Sequence, residues 1–531
     1  MKKLLAFLLS LVMLLSITTA LADIPATFHA EGYPIVDEPV TISFGYMRSP
    51  NAPPYEEMQV WQDFMKMTGV NIEFIEMPIS NAQETFNLMM ATDSYPDVWY
   101  GRIAGVENSQ VHVLYGPAGV FIELNDLIDK YAPNIKAMFE NENLVFEKIA
   151  VDGKIYSLPR VNNSNNQYVE DKWYINHVWL DNLGLAVPTT PDELRTVLEA
   201  FRDNDCNGNG DPNDEIPMSL WAGYYGMGSL YGAWGVVDNQ FNHMMVDDDG
   251  NIIFVPMADG YREGLAYWRD MYKDGLLWDQ TFTIGNDEFN AIAQGEYEVF
   301  GSFLRHVGDY VVGAERYFDY THVPAMKDAN GNQLWKTTES PTIFANCYMI
   351  TDKCKYPEVA IRMADYWFTN QGTLEFGYGP EGLTWKWNDD GTYTGIPAPD
   401  GISSDDWMNG NCPGGYSLQY TSNEFSKMGK PLDPDSLSAR ISDDFVKHAE
   451  LYKPYQRTAY VPTLGFTAEE QEELDLIQGT IFSYVKEMEA KFIIGAEDLS
   501  KWDEYISALK AMGIDHLLEI YQGAYNRLMG K

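Results

Sequence analysis

The stretch from residue 203 to residue 217 holds oxygen-bearing side chains at alternating positions, with Gly210 where the backbone must turn sharply. A hard cation such as Ca²⁺ prefers six to eight oxygen ligands at roughly 2.3–2.6 Å, and a short Asp/Asn loop supplies them from one segment. The sequence therefore predicts a structural calcium site, in which Asp211 offers its main-chain carbonyl. The predicted ligands of this acidic loop are Asp205, Asn207, Asn209, Asp211, Asp214 and Glu215.

The alternative interpretation of the acidic loop is a plain surface turn. The segments 247–250, 328–331 and 388–391 are similar acidic turns, but they lack a third and a fourth ligand in register. The spacing is similar to the first half of an EF-hand loop, although the Glu of the twelfth position is missing. Cys206 lies inside the loop, and a thiolate is the wrong donor for calcium. Calcium is the favoured interpretation, and nothing in the loop indicates an open catalytic position.

Strands and helices alternate in the first part of the chain. The patterns predict strands at 40–46, 70–77 and 96–100 and helices at 55–68 and 80–92. This alternation is typical of an α/β fold with a parallel sheet, in which ligands lie at the carboxyl ends of the strands. Tyr46, Arg48 and Trp99 follow or end such strands and are therefore predicted to line a cleft. For Trp99, packing in the core is an equal alternative.

The segment 179–194 reads W-L-D-N-L-G-L-A-V-P-T-T-P-D-E-L and is followed by the acidic loop and by D-E-I-P. With the segment G-K-I-Y-S-L-P at 153–159 and the C-terminal pattern, it resembles the extracellular solute-binding proteins of sugar-type ABC importers. The similarity is greatest to the large, oligosaccharide-directed branch of Gram-positive bacteria. The resemblance implies a type II two-lobed fold, each lobe a mixed sheet flanked by helices, joined by hinge segments.

The predicted domains follow from this resemblance and from the first residues of the chain. Met1, Lys2 and Lys3 precede an apolar run, and Ala20 and Ala22 offer small residues to a signal peptidase, so residues 1–22 are predicted to be a signal peptide. No cysteine follows the run, so the lipid anchor usual for the resembled family is not supported. The N-terminal lobe is predicted at 23–160 plus 325–395, and the C-terminal lobe at 161–324 plus 396–531.

Aromatic residues make up 14% of the chain, an excess that fits flat surfaces for stacking carbohydrate rings. Trp234 lies among glycines and is the best stacking candidate, although a core position is a serious rival. Arg305 follows a strand and either donates to sugar hydroxyls or pairs with one of many acids. The predicted ligand-binding residues are Tyr46, Arg48, Trp99, Arg160, Trp173, Trp234, Arg305 and Trp385.

The chain has 36 basic and 78 acidic residues and a formal net charge of −42 at pH 7. Such a charge repels phosphate backbones and anionic lipid, which argues against nucleic-acid and membrane partners. It also disfavours polyanionic ligands unless a local basic patch exists. The four cysteines, Cys206, Cys347, Cys354 and Cys412, allow up to two disulfides in three connectivities.

Together these features predict a secreted, monomeric solute-binding protein rather than an enzyme. The resemblance implies that it captures an oligosaccharide between two lobes and delivers it to the permease subunits of an ABC transporter. One alternative is a secreted glycoside hydrolase-like enzyme, which needs two carboxylates about 5–10 Å apart. With so many acids no pair is diagnostic, and no catalytic motif is present. The other alternative is a carbohydrate-binding or sensing protein that works without a transporter.

Overall fold

The computed structural model describes residues 24–531 except for 51, 104–105, 142–149, 165–170, 240, 338–341, 400–401, 403 and 459–460. The predicted signal peptide at 1–22 lies outside the described residues. None of the helices in the described ranges combines the length and the apolar character that a membrane span requires.

The strands are short, and most of them belong to two sheets. In chain order they are β1 Val40–Tyr46, β2 Val70–Glu76, β3 Val98–Tyr100, β4 Leu158–Asn162, β5 Lys172–Asn176, β6 Met244–Val246, β7 Ile252–Phe254, β8 Ser302–Arg305, β9 Tyr320–His322, β10 Trp335–Thr337, β11 Thr342–Ile350, β12 Trp385–Trp387, β13 Tyr393–Gly395, β14 Tyr420–Thr421, β15 Gly429–Lys430 and β16 Gln456–Thr458.

The α-helices lie between the strands and dominate the C-terminal part. In chain order they are α1 Gln59–Thr68, α2 Ala82–Ala91, α3 Asn125–Tyr131, α4 Pro133–Asn141, α5 His177–Leu183, α6 Pro191–Arg202, α7 Ala222–Tyr225, α8 Asp259–Lys273, α9 Asn286–Ala293, α10 Asp309–Val312, α11 Pro357–Tyr366, α12 Asn370–Tyr378, α13 Ser404–Asn411, α14 Asn423–Ser426, α15 Leu437–Tyr452, α16 Ala468–Ile494, α17 Trp502–Ala511 and α18 Ile514–Leu528.

Several helix starts follow from their capping residues. Thr190 accepts a hydrogen bond from the Glu193 amide at the start of α6, as its position before Pro191 predicts. Thr467 and Glu470 form a capping box at the start of α16. The helix predicted at 80–92 begins two residues later than expected, at Ala82, and no side chain caps it.

The chain divides into two compact units. The first contains the residues up to Arg160 together with Phe344–Trp387 and Ile396–Tyr420, and the second contains Val161–Ile343, Asn388–Gly395 and Thr421–Lys531. The units assign 325–343, 388–395 and 396–420 differently from the predicted lobes. For 325–343 the reason is packing, since Trp335 stacks on Tyr452 of the second unit at a centroid distance of 4.5 Å.

The first unit is built on a mixed six-stranded sheet of order β14-β4-β11-β3-β1-β2. β1 pairs in parallel with β2 and β3, which confirms the predicted α/β arrangement, whereas β11 runs antiparallel to β3. Trp61 of α1 lies at the centre of an aromatic core, because its ring contacts rings of buried residues from several other elements. They include Phe44, Tyr100, Trp367 and Phe376.

The second unit contains an antiparallel sheet of order β8-β5-β9 and most of the long helices. α16 packs against α8, and its Glu489 carboxylate is half-buried. The hydroxyls of Tyr231 and Tyr261 donate to Glu489 Oε1 over 2.6 and 3.1 Å. Burial raises the pKa of Glu489, and these two donors supply the hydrogen bonds that a half-buried carboxylate needs.

Candidate functional site

The acidic loop follows α6 in the second unit. Gly208 and Gly210 have φ values of 73° and 92°, in the left-handed region that glycine adopts without steric cost. The main-chain amides of Asn209 and Asp211 donate to the side-chain oxygens of the residues two positions earlier, over 3.0 and 2.7 Å. These local turns wind the loop tightly, as its alternating Asp and Asn residues predict.

The side chains of the acidic loop converge on one another. The amide nitrogens of Asn207 and Asn209 donate to the two carboxylate oxygens of Asp214 over 3.1 and 2.6 Å. Asp205 Oδ2 accepts from the Gly210 amide at 2.9 Å, and Glu215 Oε1 accepts from the Cys206 amide at 2.8 Å. The predicted ligands therefore lie in one small loop, and Cys206 instead directs its thiol to the Phe201 carbonyl.

Two observations on the described residues test whether this loop fits a cation. Glu215 is buried, and its Oε2 has no hydrogen-bond partner. None of Asp205, Asp211, Asp214 and Glu215 forms an ion pair with a Lys, Arg or His of the described residues. Burial raises the pKa of Glu215. A buried carboxylate oxygen without a hydrogen-bond partner, in an acidic loop without a cationic partner among the described residues, fits a hard divalent ion.

At the carboxyl end of β1 in the first unit, the two predicted residues contact other side chains. Tyr46 is buried and stacks on Tyr55 at a centroid distance of 4.2 Å. Arg48 Nε lies 3.1 Å from Glu76 Oε2, and Arg48 also donates to the Ala52 carbonyl. Arg48 thus forms an ion pair with an acid of the adjacent strand, a common arrangement for an arginine near the surface.

Three of the predicted stacking residues lie in the core. Trp99, Trp173 and Trp385 are at most 1% exposed, so they have no ring face available to a ligand in this structure. Trp99 packs so closely on Gly45 of β1 that a Cβ there would lie 2.4 Å from its ring. Trp99 therefore follows the core alternative given for it, and Trp173 and Trp385 are core residues as well.

Arg160 lies in β4 beside two residues that sequence reasoning did not select. Its guanidinium lies 5.4 Å from the centre of the Phe344 ring, and the guanidinium of Arg102 lies 4.6 Å from the same ring. Arg102 follows the end of β3 by two residues. Extending the strand-end rule two residues beyond Tyr100 identifies Arg102, whereas Phe344 has no local signal.

In the second unit, Trp234 lines a cavity of about 420 Å³ together with Tyr267 of α8 and Lys327. The two rings are half-buried, and their centroids lie 5.1 Å apart. Trp234 therefore has a half-buried ring beside an open cavity. It thereby remains a candidate for contact with a sugar ring, and Tyr267 is a neighbour that the sequence pattern did not identify.

Arg305 ends β8 and is buried. Its guanidinium lies 4.7 Å from the centre of the Trp221 ring and donates to the Asn286 side chain of α9. A guanidinium stacked on an indole and held by a neutral amide is positioned by the protein rather than free to move.

The cysteines do not form the disulfides that their number allowed. Cys206, Cys347, Cys354 and Cys412 are all free, and the last three are buried. Burial raises the pKa of the Cys354 and Cys412 thiols to about 12, so they act as small apolar core residues.

A second group of titratable residues, unrelated to the acidic loop, joins β9 to α15. His448 Nδ1 lies 3.0 Å and His322 Nε2 lies 3.7 Å from Asp444 Oδ2, to which the Tyr317 hydroxyl also donates. The two imidazole rings stack with centroids 3.9 Å apart and planes 21° apart. Because the nitrogen lone pairs lie in the ring planes, stacked rings do not direct them at one metal ion.

Within this group, His322 should make stability depend on pH. Burial, opposed by Asp444 and reinforced by His448 and Lys172, lowers the pKa of His322 to about 4. The unfolded chain therefore binds a proton near pH 6.5 that folded His322 does not accept until about pH 4, so stability falls over that window as pH is lowered. The maximum loss from this residue is about 3 kcal/mol.

We expect His322→Phe to flatten the fall of the melting temperature between pH 6.5 and 4, measured by thermal unfolding in a series of buffers. His112, whose pKa burial also lowers to about 4, should keep part of the slope. His516→Gln, a change at an exposed histidine, is the matched control. An unchanged slope in His322→Phe would rule out this contribution.

The two compact α/β units define the class of two-lobed solute-binding proteins. The chain belongs to the bacterial extracellular solute-binding protein family, whose model matches residues 59–379. Membership indicates an extracytoplasmic location and confirms the family suggested by the motifs.

Individual members of this family that are similar to the chain carry more specific descriptions. The fructooligosaccharide ABC transporter substrate-binding protein FusA of Streptococcus pneumoniae is 28% identical over 517 residues, which is 93% of this chain and 91% of FusA. The structure of FusA in complex with kestose has a TM-score of 0.77 and 25% identity, covering 92% of this chain and 100% of that chain. The polygalacturonan/rhamnogalacturonan-binding protein YtcQ of Bacillus subtilis is 28% identical over 282 residues, 51% of each chain.

Proposed function

We propose that this protein captures an oligosaccharide outside the cytoplasm and delivers it to the permease of an ABC transporter. The observation that carries the proposal is the near-complete correspondence with FusA, which extends over 92% of this chain and 100% of the relative's solved chain at a TM-score of 0.77. A relative of matching length whose name describes oligosaccharide transport supports the same role here better than a shared fold would.

The capture step follows from the two compact units. In this proposal they are the two lobes, and the strands β4, β11 and β14, in which the chain passes from one unit to the other, act as hinges. A ligand closes such a protein only by the extra contacts it makes with the second lobe, because equal affinity for the open and closed states shifts nothing. Trp234 and Arg305 of the second unit are the candidates for those contacts.

The calcium part of the proposal rests on the acidic loop. Asp205, Asn207, Asn209, Asp214 and Glu215 would hold the ion with side-chain oxygens, and Asp211 with its carbonyl. A bound ion would neutralise carboxylates that have no cationic partner among the described residues and would brace the loop between α6 and the following strand-like segment. Its role is structural.

The proposal also includes export of the chain and action as a monomer. The signal peptide at 1–22, with cleavage after Ala22, would release the chain outside the cytoplasm. Binding without chemistry is the expected mode of action.

Calorimetry of the calcium-loaded protein against a panel of neutral and acidic oligosaccharides tests this function. We expect at least one saccharide to bind with a micromolar or lower Kd, to raise the melting temperature and to remain chemically intact. The intact product is checked by a reducing-end assay after prolonged incubation. Release of reducing ends would instead favour the glycoside hydrolase alternative, and a panel without any binder would contradict oligosaccharide capture.

A further inference from the structure

Arg102 and Arg160 lie beside the same aromatic ring in the first unit. Arg102 follows β3, Arg160 belongs to β4 and Phe344 begins the part of β11 that lies in this unit. Their guanidinium carbons lie 4.6 and 5.4 Å from the centre of the half-buried Phe344 ring. Two cations and one half-buried ring thus form a patch, here called the arginine patch.

The arginine patch has no anionic partner among the described residues. The chain has 78 acidic and only 36 basic residues, yet neither arginine forms an ion pair with a described carboxylate. Arg160 Nη1 donates to the Gly415 carbonyl over 3.1 Å. With the Gln419 amide assigned from its hydrogen-bond network, Arg160 Nε and Nη2 lie 3.0 and 2.7 Å from the Gln419 oxygen. Neutral acceptors therefore orient Arg160 and leave its charge uncompensated.

Arg102 differs from Arg160 in its exposure and in its hydrogen bonds. Its side chain is exposed, and it makes no hydrogen bond to the described side chains or carbonyls, so its planar fork of donors is available to a ligand. Burial, with a contribution from the Arg102 charge, lowers the pKa of Arg160. Two like charges held close together with one of them desolvated are costly, and an anion placed between them would remove that cost.

We propose that the arginine patch binds a carboxylate of the captured solute, so that the ligand is an acidic oligosaccharide containing uronate residues. This inference rests on the proposed function and narrows its substrate class. Arg102 would accept the carboxylate in the bidentate geometry that guanidinium groups favour, and Arg160 would add a fixed second charge. Phe344 would offer its ring face to the apolar C–H side of the sugar. The net charge of −42 disfavours anionic ligands except at such a local basic patch.

The test compares an acidic trisaccharide with its uncharged methyl ester and with a neutral trisaccharide of another kind. Calorimetry is performed on the full calcium-loaded protein with trigalacturonate, with its methyl ester and with neutral kestose. We expect trigalacturonate to bind at least about tenfold more tightly than the ester, and its binding to weaken as salt is raised.

Matched variants then locate the effect. Arg102→Gln should weaken trigalacturonate binding by about 10- to 100-fold. Because Arg102 is exposed, the substitution should leave the melting temperature of the protein unchanged. Arg102→Lys keeps the charge but loses the planar fork of donors, so its Kd for trigalacturonate should lie between those of the wild type and Arg102→Gln. Lys66→Gln makes the same charge change on the exposed face of α1 and should leave the Kd within about twofold.

The outcomes separate this inference from the proposed function. Binding of kestose or the ester with no preference for trigalacturonate overturns the acidic ligand and leaves oligosaccharide capture standing. Binding of trigalacturonate that Arg102→Gln does not weaken overturns the role of the arginine patch. Failure of every saccharide to bind overturns the proposed function and this inference with it.

Discussion

Replacing Lys336 with methionine is expected to destabilise the protein by about 3–5 kcal/mol, the usual cost of leaving one member of a buried ion pair alone. Lys336 Nζ lies 2.8 Å from Asp171 Oδ2, and the two side chains are 1% and 0% exposed. Ser229 donates to the same carboxylate oxygen over 2.7 Å, whereas Asp171 Oδ1 has no hydrogen-bond partner among the described residues. In the variant, the buried Asp171 carboxylate would therefore keep only the neutral Ser229 hydroxyl as a donor.

Thermal and urea unfolding of the wild type and of three variants measure this effect. Asp171→Leu combined with Lys336→Met removes both charges and should recover much of the loss, because no uncompensated ion remains. Lys353→Met breaks an exposed pair with Asp93 and should cost less than about 1 kcal/mol. A Lys336→Met protein as stable as Lys353→Met would show that Asp171 is not held as an ion in the folded state.

Calcium is expected to be the second large determinant of stability. An ion that binds the folded chain alone stabilises it by about 2.7 kcal/mol at one hundred times its Kd and about 4.1 kcal/mol at one thousand times. We therefore expect EGTA to lower the melting temperature and added Ca²⁺ to restore it, with little effect of Mg²⁺, which requires stricter octahedral geometry.

Variants in two acidic turns assign this effect to its residues. Asp205→Ala should abolish the response to Ca²⁺, since Asp205 is the first of the convergent oxygens. Asp247→Ala, in the acidic turn whose Asp247 accepts from the Asn251 amide over 2.7 Å, should leave the response intact. Equal melting temperatures with Ca²⁺ and with EGTA would instead support the plain-turn alternative, in which hydrogen bonds among the loop residues are sufficient.

Much of the local structure was predictable, because it depends on neighbours in the sequence. β1 has the predicted bounds, Val40–Tyr46, and Gly69 ends α1 in the left-handed conformation that its position after Thr68 predicts. The acidic loop gathers its oxygens within eleven residues, so its spacing alone indicates a candidate cation site. The helix predicted from residue 80 begins at Ala82 instead, because a 3₁₀ turn occupies Ile79–Asn81.

The ligand-binding residues were less predictable, because exposure is decided by packing across long stretches of chain. Tryptophan is equally suited to a sugar-stacking face and to a core, and nothing local separates the buried Trp99 and Trp385 from the half-buried Trp234. The lobe boundaries likewise depend on where Trp335 packs rather than on its neighbours in sequence.

The sequence by itself determined the family, the alternating α/β elements and the acidic loop, since motifs, periodicity and capping act over a few residues. Only the tertiary structure decided which acids pair with which bases. Folding gives Arg48 a partner in Glu76, and it brings Arg102 and Arg160, 58 positions apart in the chain, to one ring without any described carboxylate. The difference between Arg48 and the other two arginines arises from the strand order. β3 and β4 each lie beside β11, which carries Phe344, whereas Glu76 ends β2, the neighbour of the strand that Arg48 follows.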